Sequence, residues 1–167
     1  MKKILLVVVA LFCVTTASAA NKSNKLVDIA ATSKYSAGLR LGTGIEAVGE
    51  YFYAKNVYAE ARIGYNWVGG FDFTAIHAWN PFNWSWTPQI GWWFFDYGGG
   101  LFVGGGKSHA HFGIAGVAKF GILLKRLPIR VAVDLTPHIG LYTAKGAGSG
   151  FYGNGVFNAG ISATYCF

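Results

Sequence analysis

The sequence is poor in charge. Asp, Glu, Lys and Arg make up 13% of its 167 residues, against about 25% in an ordinary soluble domain. Acids are scarcer than bases, 7 against 14, for a formal net charge of +7. Cysteine occurs only at Cys13 and Cys166. Cys13 lies in a leader, so the body of the chain can form no internal disulfide, which excludes the small disulfide-stapled class of exported proteins. No stretch reaches the roughly 18 uninterrupted apolar residues of a spanning helix. What is abundant is glycine, 24 residues, and aromatic side chains, 17%.

The leader reads "MKKILLVVVALFCVTTASAA": two lysines, an apolar run from Ile4 to about Val14, then Ala17-Ser18-Ala19. That is the charge, apolar core and small-residue site of a secretory signal, with cleavage expected after Ala19. The expected organisation is a signal over 1–19, a periplasmic leader over 20–33 and one domain over 34–167. Export, few charges, many aromatics and no helical span are reconciled by a closed β-barrel in a membrane.

Eight segments alternate with period two: 34–42, 44–53, 57–67, 72–80, 91–104, 111–124, 128–141 and 154–167. Each is near or above the 9–11 residues of a tilted membrane strand. In the first, Tyr35, Ala37, Leu39 and Leu41 oppose Ser36, Gly38, Arg40 and Gly42. In the seventh, Ile129, Val131, Val133 and Leu135 oppose Arg130, Ala132, Asp134 and Thr136. The polar faces collect Arg40, Glu46, Glu50, Glu60, Arg62, Asp96, Lys119, Arg130 and Asp134. A lysine or arginine on the lipid face costs about 2–4 kcal/mol at mid-membrane, and this sorting avoids it. Eight strands leave room only for side chains inside. The expected fold is therefore all-β: an eight-stranded antiparallel up-and-down transmembrane barrel whose interior is filled by ion pairs.

The connections follow. Outer loops are expected at Thr43-Gly44, Val68–Phe71, Gly105–Ala110 and Leu141–Gly153, and inner turns at Ala54–Asn56, Asn80–Ile90 and Lys125–Leu127. "WNPFNWSWTPQIGWW" carries five of the six tryptophans beside an inner turn, where an interfacial aromatic girdle belongs. Ile161, Ala163, Tyr165 and Phe167 alternate up to the last residue. That pattern resembles the assembly signal of outer-membrane proteins, which implies the outer-membrane insertion machinery and periplasmic chaperones as partners.

The segment "GIAGVAKFGILLKRLPIRVAVDLTPHIG", Gly113 to Gly140, resembles small outer-membrane barrels of Bacteroidota of the OmpA and OmpX type. Leu127-Pro128, Asp134 and Pro137 match the family's basic turn and its following strand. "AGLRLG", Ala37 to Gly42, resembles its first strand, and "ISATYCF" its ending. The resemblance covers most of the chain after the leader. It implies fold and an outer-membrane location but no defined activity, since fold does not fix function.

"FVGGGKS", Phe102 to Ser108, is similar to a phosphate-binding loop, but Leu101 stands where its first glycine should be and a strand pattern follows where a helix is needed. The expected role is a hairpin loop. His109 and His111 share a strand face at a spacing that can hold a metal, yet no third ligand is apparent, and an exposed polar loop tip is expected. Ser108 beside His109 raises a lipid hydrolase, but no oriented base and third group are apparent. His77 falls on the apolar face and His138 on the inner one, both as structural residues. Cys166 is expected to face inward near the lower rim. Lys22, Lys25, Lys34, Lys55, Lys125 and Arg126 fall in the leader or at the inner rim, where anionic lipid head groups are simpler partners than nucleic acid.

The sequence thus predicts a monomeric, non-enzymatic outer-membrane barrel without an open pore. Its role is structural or surface interaction, its surroundings are outer-membrane lipid and lipopolysaccharide, and it carries no catalytic, cofactor or metal site. Two alternatives stand beside it: a lipid-A or phospholipid-modifying barrel enzyme, and a secreted lipocalin-like binder with the apolar face inside.

Overall fold

A computed structural model gives the fold and describes residues 33–67, 70–87, 89–146, 148–152 and 157–167. The expected signal 1–19 and, apart from Ser33, the leader 20–33 lie outside the described residues.

Ten strands follow one another: β1 (Tyr35–Leu41), β2 (Gly44–Ala54), β3 (Val57–Asn66), β4 (Gly70–Thr87), β5 (Gly91–Gly105), β6 (His109–Leu124), β7 (Ile129–Leu135), β8 (His138–Ala144), β9 (Gly148–Tyr152) and β10 (Ala159–Cys166). Every pairing is antiparallel. In the order β5-β4-β3-β2-β1-β10-β7-β6, with β6 returning to β5, eight strands make a closed ring. β8 continues the line of β7 along β6, and β9 folds back on β8 as a hairpin. The eight-stranded antiparallel barrel expected from alternation is the observed fold. Closure matters because it pairs the backbone of β1 on both sides and leaves no open edge in the ring.

Alternation is visible residue by residue. Along β2 the side chains switch between buried and exposed from Gly44 to Tyr51. The buried set is Glu46, Val48 and Glu50; the exposed set holds Ile45 and Tyr51. The usual soluble arrangement is thereby inverted: charge goes in and hydrocarbon goes out.

Four spans differ from the sequence expectation. The inner turn placed at Asn80–Ile90 is mostly strand. β4 and β5 run on together, pairing Phe82 with Phe95 and Trp84 with Trp93, after a register shift between Trp79 and Phe82. Pro81 lies within that shift, where its missing N–H breaks no ladder. The expected strand 128–141 is broken at Thr136-Pro137, where the Thr136 N–H donates to Asn158 O (2.7 Å) and Pro137 O accepts from Gly116 N–H (2.9 Å). The expected outer loop Leu141–Gly153 is largely the β8–β9 hairpin, and the expected last strand 154–167 is, among the described residues, β10 over Ala159–Cys166, with 153–156 outside the described residues. Gly146 and Gly148 at the hairpin tip carry positive φ (85° and 79°), a conformation only glycine adopts at little cost.

Candidate functional site: the lumen and its two mouths

The barrel has a termini end, with Tyr35, Phe167 and the turns near Lys55 and Lys125, and a loop end, with Thr43, Gly106 and the β8–β9 hairpin. All nine charged residues assigned to the interior are buried there: Arg40, Glu46, Glu50, Glu60, Arg62, Asp96, Lys119, Arg130 and Asp134. They form two linked layers.

Toward the termini end, Arg130 Nη1 donates to Glu50 Oε2 (2.9 Å) and Nη2 to Asp96 Oδ2 (2.7 Å). Its guanidinium lies over the Phe94 ring at 4.2 Å. Tyr58 hydroxyl donates to Asp96 (2.7 Å), and Ser36 donates to Glu50. Lys119 joins this layer to the next by bonding both Glu50 (2.9 Å) and Glu60.

Toward the loop end, Arg40 Nε donates to Asp134 Oδ1 (2.9 Å), Nη1 to Glu46 Oε2 (2.8 Å) and Nη2 to Asn158 Oδ1 (3.0 Å). Arg62 pairs with Glu60, and its Nη1 donates to Thr136 Oγ1 (2.9 Å). Such buried charge-assisted bonds fix geometry more surely than they add net stability.

Glycine makes two of these crossings possible. Arg40 on β1 reaches Asp134 on β7 by passing over β10, where Gly160 pairs with Asp134. A Cβ on Gly160 would stand 2.7 Å from the guanidinium carbon. At the loop end Asp72 on β4 and His111 on β6 both pair with Gly104 on β5. His111 Nε2 and Asp72 Oδ1 meet at 2.6 Å, and a Cβ on Gly104 would collide with both. Asn66 Nδ2 donates to Asp72 Oδ2 (2.7 Å).

That second crossing corrects one expectation. His111 is not at an exposed loop tip but buried in the lumen mouth, on strand β6. Its ring and that of His109 are near parallel at 5.9 Å. Among the described residues no group of three or more His, Cys, Asp or Glu side chains is placed to hold a metal ion. The glycine-rich stretch from Phe102 ends β5 and turns at Gly106, whose N–H donates to His109 O (2.8 Å); strand β6 follows, so no helix N-terminus is there to meet a phosphate.

His77 is exposed on the outer face and bonded to the Tyr53 hydroxyl. His138 is buried, stacked on Phe102 at 4.4 Å. Cys166 is a buried free thiol facing inward. On the last strand Ile161 and Phe167 are exposed outward, while Ser162, Thr164 and Cys166 are buried.

The outer wall is the complement of the lumen. At the termini end it carries Tyr35, Tyr51, Trp79, Phe82, Trp86 and Tyr97, all exposed, with Tyr35 stacked on Tyr51 at 5.1 Å and Trp84 on Trp86 at 5.5 Å. At the loop end it carries Tyr65, Trp67, Phe71 and Phe112. Between them lie Ile45, Ile63, Leu101, Ile114, Val133 and Ile161, also exposed. All six described carboxylates point inward, whereas Lys34, Lys55, Lys107, Lys125, Arg126 and Lys145 are exposed at the two ends.

Sequence reasoning placed the nine interior charges but missed the Asp72–His111 pair and the neutral partners Tyr58, Thr136 and Asn158. Asp72 has the same parity as Thr74, Ile76 and Ala78, a signal that could have been followed. Its partner could not, because that depends on the register of β4, β5 and β6 together.

Fold and side-chain sorting define the class: a closed eight-stranded antiparallel β-barrel with a charged, side-chain-filled lumen. Compared with family models, curated proteins and solved structures, the chain matches none.

Proposed function

We propose that the chain is an integral outer-membrane β-barrel of the build its sequence resembles, with a structural or surface-interaction role and no open pore. One observation carries this reading: an outward wall of exposed aliphatic residues bounded at both ends by aromatic rings, around a lumen that holds every described carboxylate. Water around that wall would meet most of the thirty large hydrophobic side chains exposed among the described residues, far beyond the patches soluble monomers carry. Hydrocarbon around it costs nothing, and the exposed cations at the two ends suit anionic head groups. The lipocalin-like alternative needs an apolar lumen; ion pairs fill this one.

The test is refolding into detergent and lipid vesicles. The expected result is a folded species that migrates differently from the heated one and sediments with the vesicles. A protein that stays folded and monomeric in buffer without detergent would remove the reading.

One observation favours a lipid-modifying enzyme as the second reading. Asp72 and His111 make an acid–imidazole pair at the loop-end mouth, near the turn that carries Ser108. Lipid A unchanged on overexpression of the protein, by mass spectrometry, would dispose of it.

A further inference from the structure

At the termini end the lumen opens into a cup of about 400 Å³, floored by Arg130 and walled by Phe52 and Phe94, with Trp92, Asn80, Asn83 and Lys55 around it. Two features set it apart from the rest of the barrel. Trp79, Trp84, Trp86 and Trp93 sit on the outward side, but Trp92 shares the parity of the inward Phe94 and Asp96. It is 47% exposed nonetheless, so this indole turns a broad apolar face to the mouth and not to the lipid side.

The second feature is a chain of amides. Asn83 Nδ2 donates to Asn80 Oδ1 (2.7 Å), and Asn80 Nδ2 donates to Asp96 Oδ1 (2.5 Å). Asp96 is itself held by Arg130 and Tyr58. The orientation of both amides is thereby set from the buried network outward, leaving the Asn83 carbonyl oxygen as an acceptor at the rim. The floor does not select by charge: both Arg130 amino groups are committed to Glu50 and Asp96. Lys55 adds one exposed donor.

An apolar-walled cavity with a few fixed polar groups is the usual form of a small-molecule site. A flat indole, pre-set amides and a neutralised floor fit a ring that is apolar on its C–H face and hydroxylated at its edge. We propose that this cup binds a neutral pyranose sugar, stacked on Trp92 and hydrogen-bonded to Asn83 and Lys55. That the cup opens to the periplasm rests on the outer-membrane reading; the sugar chemistry does not.

The test uses the protein folded in an amine-oxide detergent, because glycoside detergents carry sugar heads. Maltotriose and the N-acetylglucosamine trimer are titrated and followed by calorimetry and saturation-transfer NMR. Saturable binding of at least one of them is expected, weakened about tenfold by Trp92→Ala, the upper worth of one aromatic contact. Asn83→Ala weakens it as well, and the outward-facing Trp86→Ala leaves it unchanged. Heat-modifiable mobility shows that each variant is still a barrel. Absence of saturable binding for both sugars, or binding that Trp92→Ala leaves intact, overturns the proposal. Sugar binding by a protein that fails to enter vesicles would sink the membrane reading alone.

Discussion

At the scale of single residues, the lumen is a set of charges most of which are held by more than one partner, Glu46, paired with Arg40 alone, being the exception. Arg40 touches Asp134, Glu46 and Asn158 at once. Arg40→Met leaves the buried Glu46 carboxylate without its cation and takes the nearer of two cations from Asp134, which keeps Arg62 and Thr136; the expected loss is about 3–5 kcal/mol, the usual cost of breaking a buried pair from one side. Urea unfolding in lipid vesicles measures it. Restoring apolar balance with Arg40→Met and Asp134→Leu together should cost less than the sum of the two single changes, a coupling that a double-mutant cycle reads. Gly160→Val is expected to destabilise by about 1–3 kcal/mol, as overpacking does, because its side chain would occupy the space of the Arg40 guanidinium. A Gly160→Val protein as stable as the parent would show that the crossing is not constrained. Much of this was legible in the sequence. Parity along one strand is enough to put Arg40, Glu60 or Asp134 on the polar face, which the structure turns inward. Parity says nothing of which acid meets which base, because that is set by register between strands far apart in the chain. The Asp72–His111 pair is the plain case: parity puts Asp72 on the inner face, and only the registers of β4 and β6 against Gly104 of β5 bring it to His111.

The elements carry the lesson about boundaries. Asn80-Pro81 punctuates the sequence as a turn would, yet the ladder absorbs it as a bulge and β4 continues to Thr87. The reason lies in the aromatic rings. Along β4, Phe82 and Trp84 stack at 5.8 Å and Trp84 and Trp86 at 5.5 Å, and across to β5 Trp86 packs on Trp93 at 6.0 Å. Aromatic packing along and across the strand outweighs the local turn signal. Trp84→Ala is expected to lower stability by about 1 kcal/mol through lost stacking, while the ring stays closed and the heat-modifiable shift is retained. Loss of that shift would mean that the β4–β5 extension is needed for closure. The last strand makes a separate prediction. If Phe167 is read by the insertion machinery, Phe167→Ala slows insertion into vesicles supplied with that machinery and leaves spontaneous folding in detergent nearly unchanged. Equal slowing in both would assign Phe167 to folding instead.

For the whole molecule, the distribution of charge is one arrangement with two consequences. With the described carboxylates inside and the exposed cations at the rims, the wall between is left to hydrocarbon and aromatic rings. With the lumen crossed by Arg40, Arg62, Lys119 and Arg130, there is no continuous aqueous path to expect through it, and planar bilayers holding the folded protein should show no discrete conductance steps. Reproducible steps abolished by heating would contradict a filled lumen. The most direct test of the central claim is a nitroxide scan of 129–135, one label at a time, in lipid vesicles with Cys166 replaced by serine. Collision with oxygen and with a water-soluble nickel chelate reports the surroundings of each label. Labels at Val131 and Val133 are expected to collide freely with oxygen, as lipid-facing positions do, and a label at Ala132 is expected to be shielded from both reagents. High oxygen accessibility at Ala132 with shielding at Val131 and Val133, or no alternation at all, would contradict it.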